Sequence, residues 1–319
     1  MGAKNVIQRQ DKQKLNLAIK LEEFMREKTL TGTAVKTLHG YQYAITKFVQ
    51  FYQKQDYQAL NQSVLYDFIE LMRTRSDNAV TLNHYLRTIR VFVYWLQEQD
   101  CGVKKFNIKL LKEQELPPKC HTEDELERLL QHPEKKNDFL IWRNWAMVSF
   151  VLGTGCRAGS IVNIQMQDLD IVNSQVILRH TKNKKPQIIP LSISLKSALK
   201  EYISIWRSKA EKEQFLFPTV GETALTSHSL RLGYLRYCRD RQVENTSIHA
   251  LRHDFAKLFV MNGGNVAVLQ KILGHSSLST TQRYIELFAI DLQNNYSNYA
   301  PLDNLLSKKE GMKHLVKRR

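Results

Sequence analysis

Cysteine is scarce in this sequence. Cys101, Cys120, Cys156 and Cys238 are the only four in 319 residues, and none stands in a CxxC pair or beside a histidine cluster. The spacings that hold structural zinc are therefore missing. The opening residues, MGAKNVIQRQDKQK, contain no apolar core of the kind a secretory signal needs. The most apolar stretch, Trp145 to Gly153, is far too short to span a bilayer. These absences lead us to expect a reducing cytoplasmic protein.

Several catalytic signatures are missing as well. Gly153-Thr154-Gly155 is not followed by the lysine of a phosphate-binding loop, and no GxSxG elbow occurs. Two-metal phosphodiester chemistry needs convergent carboxylates. Asp254 and Asp291 stand apart in the sequence, and the one close pair, Asp168 and Asp170, falls in a loop-like stretch before a strand. Neither a metal site nor ATP-driven chemistry is expected, and no cofactor is implied. Internal repeats and low-complexity tracts are also absent.

What is present is positive charge. Lys and Arg total 47 against 31 acidic residues, a net +16 with His neutral. An excess of this size points to a polyanionic partner: DNA, RNA or an acidic membrane surface. Apolar residues make up 43%, enough for real cores, and the length suits two domains.

Helical periodicity dominates. Leu15, Ile19 and Leu21 to Met25 recur at helical spacing and stop at Thr31-Gly32-Thr33. A second stripe holds Leu38, Tyr41, Ile45, Phe48 and Tyr52. Asn61 is placed to cap a third, with Val64, Leu65, Phe68, Ile69 and Met72. After Ser76-Asp77-Asn78, a fourth runs from Thr81 to Gln99. Four short amphipathic helices make a small bundle. Its outer faces carry Lys36, Lys47, Arg73, Arg75, Arg87 and Arg90, as phosphate contacts or as solubilising charge.

The charged, aperiodic stretch from Cys101 to Lys119 ends in Pro117-Pro118 and reads as a linker. Thr122 and Glu125 then form a capping-box pattern, opening a helix over Glu123 to Leu130, and a buried helix follows from Asn137 to Leu152. Gln175–Leu178 and Gln187–Pro190 are β-type runs on either side of a basic turn, Thr181-Lys-Asn-Lys-Lys185. Helical pattern resumes to about Tyr296, broken by Pro218 to Glu222 and by Gly263-Gly264, and Lys308 to Arg319 is strongly basic. The expected fold class is mainly α with a small antiparallel β-sheet.

One cationic set lies near one tyrosine. His249 and Arg252 are three apart, so a helix places both on one face. Arg157 follows the Thr154-Gly155-Cys156 turn, Lys182 sits at the hairpin tip, and Gly274-His275 precedes Tyr284 by nine residues. Each feature alone has a bland reading: a surface pair, a helix-end arginine, a packed tyrosine. Together they are specific. The segment HALRHDFAKLFVMNGGNVAVLQKILGHSSLSTTQRY, from His249 to Tyr284, closely resembles the signature of tyrosine recombinases and phage-type integrases. TGCRAGSI, from Thr154, resembles that family's first arginine box, T-G-x-R-x-x-E. TKNKKPQIIPL, from Thr181, resembles its lysine hairpin. The boxes stand in family order, and the resemblance runs from Pro118 to Tyr296.

The resemblance implies an N-terminal four-helix SAM-like core-binding domain over 1–105, a linker over 106–118, a catalytic tyrosine-recombinase domain over 119–296, and a basic tail over 297–319. It implies six active-site residues: Arg157, Lys182, His249, Arg252, His275 and Tyr284. Arginines suit the non-bridging oxygens of a phosphodiester. Tyr284 is the implied nucleophile, His249 the proton acceptor and His275 a phosphate contact. Lys182 is the acid for the leaving 5′-oxygen. Lys184 and Lys185 offer rival donors. Ser160 stands where the family carries an acid, and Gly159 loosens that helix start. The implied partners are double-stranded DNA with inverted half-sites and a homo-tetramer on two such sites, with no membrane. Two other readings stay open: a DNA-relaxing enzyme of the type IB topoisomerase kind, and an inactive DNA-binding regulator on the same scaffold.

Overall fold

The structure is a computed structural model, and it describes residues 15–113, 118–136, 138–179 and 186–274. The chain divides into two compact units, Met1–Leu116 and Pro117–Arg319.

The first unit holds α1 (Leu17–Leu30), α2 (Val35–Lys54), α3 (Gln62–Arg73) and α4 (Ala79–Glu98). Asparagine starts three of them. Asn16, Asn61 and Asn78 each accept a backbone N–H of the first turn with the side-chain oxygen, satisfying donors that a helix start leaves free. The apolar stripes meet in one aromatic-rich core, in which Phe24, Phe48, Phe68 and Phe92 are buried. Each such ring contributes roughly 1.5–3 kcal/mol through burial alone. Phe24 meets Phe92 and Trp95 edge-on, with ring centroids at 5.3 and 5.5 Å. Trp95 donates to Glu27 at 2.7 Å, tying α4 to α1. The stripe of α1 is Leu17, Leu21 and Phe24; Ile19, counted in it from the sequence, is 53% exposed, because it lies off that i, i+4, i+7 line.

The stretch after α4 has a definite place despite its lack of periodicity. Val103 and Ile108 are buried in the bundle core. The Asn83 side chain donates to Leu111 O at 2.8 Å and accepts from Leu111 N at 2.7 Å, fastening an extended segment as a sheet partner would.

The second unit begins with α5 (Glu123–Leu130), whose Thr122/Glu125 capping box forms as expected. At the centre lies α6 (Phe139–Thr154). It is apolar on all sides, and α5, α8 (Ile193–Tyr202), α9 (Ser227–Asp240) and α10 (Ile248–Met261) pack around it. A four-residue helix, α7 (Ala158–Ile161), and α11 (Val266–Leu273) complete the α-helices of the described residues. α8 runs on into a π-helical turn, Ile203–Arg207.

The sheet has three antiparallel strands in the order β1 (Leu169–Asp170), β2 (Gln175–Leu178) and β3 (Gln187–Pro190). Val176 pairs with Leu169 on one side and Ile189 on the other. β1 corrects the loop-like reading of residues 168–170. Two residues are too few to show alternation, and the pairing partner supplies what the local pattern lacks. Asp168 and Asp170 serve local structure here. Asp168 is buried, accepts from Gln165 N at 2.9 Å and pairs with Arg179; Asp170 accepts from Asn173 N at 2.9 Å. Among the described residues, no helix is long and apolar enough to cross a membrane.

Candidate active site

The site is framed by the ends of α6, α10, α11 and β3. α6 stops at Gly155, which takes the left-handed conformation (φ +62°) and returns its N–H to Val151 O at 2.8 Å. This turn delivers Arg157 to the start of α7 with an extended backbone and no cap hydrogen bond from its side chain. Nothing larger than glycine fits at 155: a Cβ there would lie 2.3 Å from Phe255 Cδ1 and 2.8 Å from Leu273 Cδ2. Gly155→Ala is expected to destabilise the unit by about 1–3 kcal/mol, from backbone strain and overpacking together. Urea unfolding checks it; an unchanged midpoint refutes it.

Arg252 is the keystone. It projects from α10 into the interior and is 3% exposed. Its Nη1 donates to Gly155 O at 2.7 Å and its Nη2 to Leu273 O at 2.9 Å. One guanidinium thus joins the turn before Arg157 to the last residue of α11, directly ahead of Gly274-His275. The end of α11 is closed from the other side by β3. Gln187 Nε2 donates to Lys271 O at 2.5 Å and to Ile272 O at 2.6 Å, satisfying carbonyls that a helix end leaves free. The hairpin strand that leads back to Lys182 and the helix that leads to His275 are thereby fixed to one another.

His249 occupies the first turn of α10 and reaches the surface. Its packing against the domain, then the positive charges of Arg252 and Arg157, hold its pKa below the ordinary imidazole value. A neutral ring at pH 7 follows, which is the form that can take a proton. His253 stacks edge-on against it, centroids 4.8 Å apart, and is itself lowered to about 4, by burial first and then by His249. The neighbouring cysteine is inert: burial pushes the Cys156 thiol up to about 11.

Of the six expected site residues, the described structure therefore brings together Arg157, His249 and Arg252. Lys182, His275 and Tyr284 lie outside the described residues, as do Lys184 and Lys185. Ser160, in the family's acid position, is buried in α7 and its N–H bonds Arg157 O at 2.8 Å. Sequence reasoning missed Gln187, and no local pattern marks a strand glutamine as a helix-end donor. On the first unit, Lys47 donates to Tyr43 and Tyr85 hydroxyls at 2.6 and 3.1 Å, and Arg87 pairs with Glu113 at 2.7 Å, while Lys36, Arg73 and Arg75 are exposed.

Comparison with known proteins identifies the family. The model of the phage integrase family matches residues 119–289, more than half of the chain, and that of the phage integrase N-terminal SAM-like domain matches 21–103. This chain belongs to the phage integrase family. Within it, the chain is similar to tyrosine recombinase XerD of Oceanobacillus iheyensis, 27% identical over 285 residues that cover 85% of this chain and 94% of the relative. Its fold matches XerH site-specific recombinase bound to a palindromic difH substrate, with a TM-score of 0.68 at 20% identity over 88% of this chain and 84% of that one. It also matches lambda integrase, solved as a tetramer bound to a Holliday junction, with a TM-score of 0.66 at 16% identity over 84% and 76%. The resemblance seen in the sequence and the expected fold class are both borne out: the chain is a tyrosine recombinase, with a SAM-like helical unit ahead of a catalytic domain that carries a small antiparallel sheet.

Proposed function

We propose that this integrase-family enzyme recombines DNA at specific sites by cutting and rejoining strands through a covalent 3′-phosphotyrosine at Tyr284. The observation that carries the reading is the Arg252 fork, which holds the Arg157 turn and the α11 end to one frame with a neutral His249 beside them. Attack at phosphorus places extra charge on the non-bridging oxygens. Arg157 and Arg252 are the fixed donors for that charge, and a donor of this kind is worth about 3 kcal/mol. His275 adds a third contact.

A phenol has an ordinary pKa near ~10, so Tyr284 needs a base or a strong positive field to attack at pH 7. Neutral His249 supplies the first and the arginines the second. Lys182, on its hairpin, protonates the leaving 5′-oxygen. The bond to Tyr284 stores the energy of the broken phosphodiester, so rejoining needs neither ATP nor a metal. Cleavage is accordingly expected to persist in excess chelator without nucleotide.

The +16 charge suits contacts to the duplex backbone, with affinity falling steeply as salt rises. The partners we assign are paired inverted half-sites and a tetramer, by analogy with the palindrome-bound XerH and the tetrameric lambda integrase. Action on chromosomal or mobile-element DNA places the enzyme in the cytoplasm, at the nucleoid. Two plasmid-borne copies of the bound site should recombine when the enzyme is added. Relaxation of supercoils with no site preference would favour a topoisomerase-like activity, and binding without either reaction a regulator.

Replacing Lys182 with Ala should slow cleavage by about 10²–10⁴-fold, the usual worth of a general acid. A 5′-thiol leaving group, which needs no proton, should restore the rate. Rescue by the thiol in a Lys184→Ala or Lys185→Ala variant instead would move the acid to that residue.

A further inference from the structure

α10 carries a second polar cluster, centred on Asp254 rather than on Arg252. Asp254 is two residues beyond Arg252 and 1% exposed. Its carboxylate is gripped twice by one residue: His121 N–H donates to Oδ1 at 2.9 Å and His121 Nδ1 meets Oδ2 at 2.6 Å. The other ring nitrogen, Nε2, lies 2.9 Å from Asn245 O and 3.2 Å from the Tyr234 hydroxyl. A carbonyl oxygen can only accept, and so can an ionised carboxylate. Nε2 therefore donates to Asn245 O, and the short Nδ1–Oδ2 contact favours the charged form of the ring. Burial opposes that charge, but the hydrogen bond to Asp254 and its negative charge outweigh it, with Asn245 and Glu125 adding to them, so the pKa of His121 is raised.

The cluster bears on His249 through the way α10 begins. Ser247, at the N-cap, gives that first turn no side-chain hydrogen bond. The preceding loop is held from outside instead. Glu125 Oε1 accepts from Glu244 N at 2.9 Å and from Asn245 N at 3.3 Å, and Asn245 Nδ2 donates to Lys119 O at 3.2 Å. His121 grips both this loop, at Asn245 O, and the helix itself, at Asp254. His249 lies between these two points, on an uncapped turn at the surface.

We propose that His121 and Asp254 are positioning residues for strand cleavage: by clamping α10 on both sides of His249, they set where its imidazole stands relative to the attacking tyrosine. Arg252 has its own anchors at Gly155 and Leu273, so the pair acts chiefly through His249. This inference rests on the reading of His249 as the proton acceptor.

The test uses the full chain and a nicked suicide substrate built on the DNA it selects, with single-turnover cleavage and DNA Kd measured well below each variant's melting midpoint. Asp254→Asn removes the charge. His121→Gln keeps a donor near the Nε2 position, toward Asn245, and gives up Asp254. Both should cleave about tenfold to a hundredfold more slowly, as a displaced catalytic group does, with Kd within about twofold of wild type. His121→Asn keeps a donor near the Nδ1 position, toward Asp254, but gives up Asn245, and should slow cleavage likewise because the loop side of the clamp is lost. In a His249→Ala background, Asp254→Asn should cost nothing further, because the group it positions is gone.

Rates within about twofold of wild type, a loss that multiplies in full with His249→Ala, or a matching loss of DNA affinity would each overturn the proposal. So would failure to obtain folded protein from all three variants, which would make the pair a requirement of the fold alone. If His249→Ala itself cleaves at the wild-type rate, the reading of His249 fails rather than the geometry of the clamp.

Discussion

Tyr284→Phe is expected to bind DNA with a Kd within about twofold of wild type and to form no covalent adduct, a loss on the order of 10⁴-fold or more. The substitution removes one oxygen and leaves the ring, so packing and backbone contacts persist while the attacking atom is gone. The sequence has thirteen tyrosines, and the fold disposes of the nearest rivals. Tyr202, Tyr234 and Tyr237 are buried in the second unit. Tyr202 donates to Leu216 O at 3.1 Å, Tyr237 donates to Leu129 O at 2.8 Å, and Tyr234 meets His121. Burial raises the pKa of all three phenols, the opposite of what a nucleophile needs. The other tyrosines of the second unit are Tyr296 and Tyr299, which follow Tyr284 along the chain, and the remaining seven belong to the first unit. The check is an SDS-resistant protein–DNA band on a nicked suicide substrate. A band that survives in Tyr284→Phe would move the nucleophile to another tyrosine, with Tyr296 and Tyr299 the first to be replaced in turn.

What could be seen in the sequence was whatever is written locally. The Asn61 and Thr122/Glu125 caps are four-residue signals, and they sit where α3 and α5 begin. The stripes of α2 to α4 repeat often enough to declare a face. His249 and Arg252 share a helix, so their spacing alone brings them together. The parts that were not legible depend on residues far apart in the chain. Arg252 meets Gly155 across 97 positions, and His121 meets Asp254 across 133. No window of sequence contains either pair. β1 exists because β2 offers it hydrogen bonds, and its two residues carry no pattern of their own. Arg252 shows the difference most clearly: the family resemblance implied a phosphate donor, while its hold on two backbone carbonyls depends on where α6 and α11 end.

The proposed phosphate role and the two carbonyl contacts together set the expectation for Arg252→Lys. An ammonium keeps the charge but has no planar fork, so it cannot hold Gly155 O and Leu273 O together while also addressing a phosphate. One buried carbonyl left without its donor costs about 1–3 kcal/mol. Lysine also retains the burden of a buried cation, so it gains no relief from desolvation. The variant should therefore fold, with stability lower by about 1–3 kcal/mol in urea. Cleavage should suffer more. Losing a fixed donor to the transition-state oxygens costs about 10²–10³-fold, and loosening the frame that joins the Arg157 turn to the α11 end adds to that. Ground-state binding depends on many phosphate contacts, so DNA affinity should change by no more than about threefold, and the charge-dependent salt slope should stay the same. The decisive comparison is single-turnover cleavage against DNA affinity for one folded sample. Full cleavage in Arg252→Lys would mean that its guanidinium serves the fold alone and that the phosphate is held elsewhere.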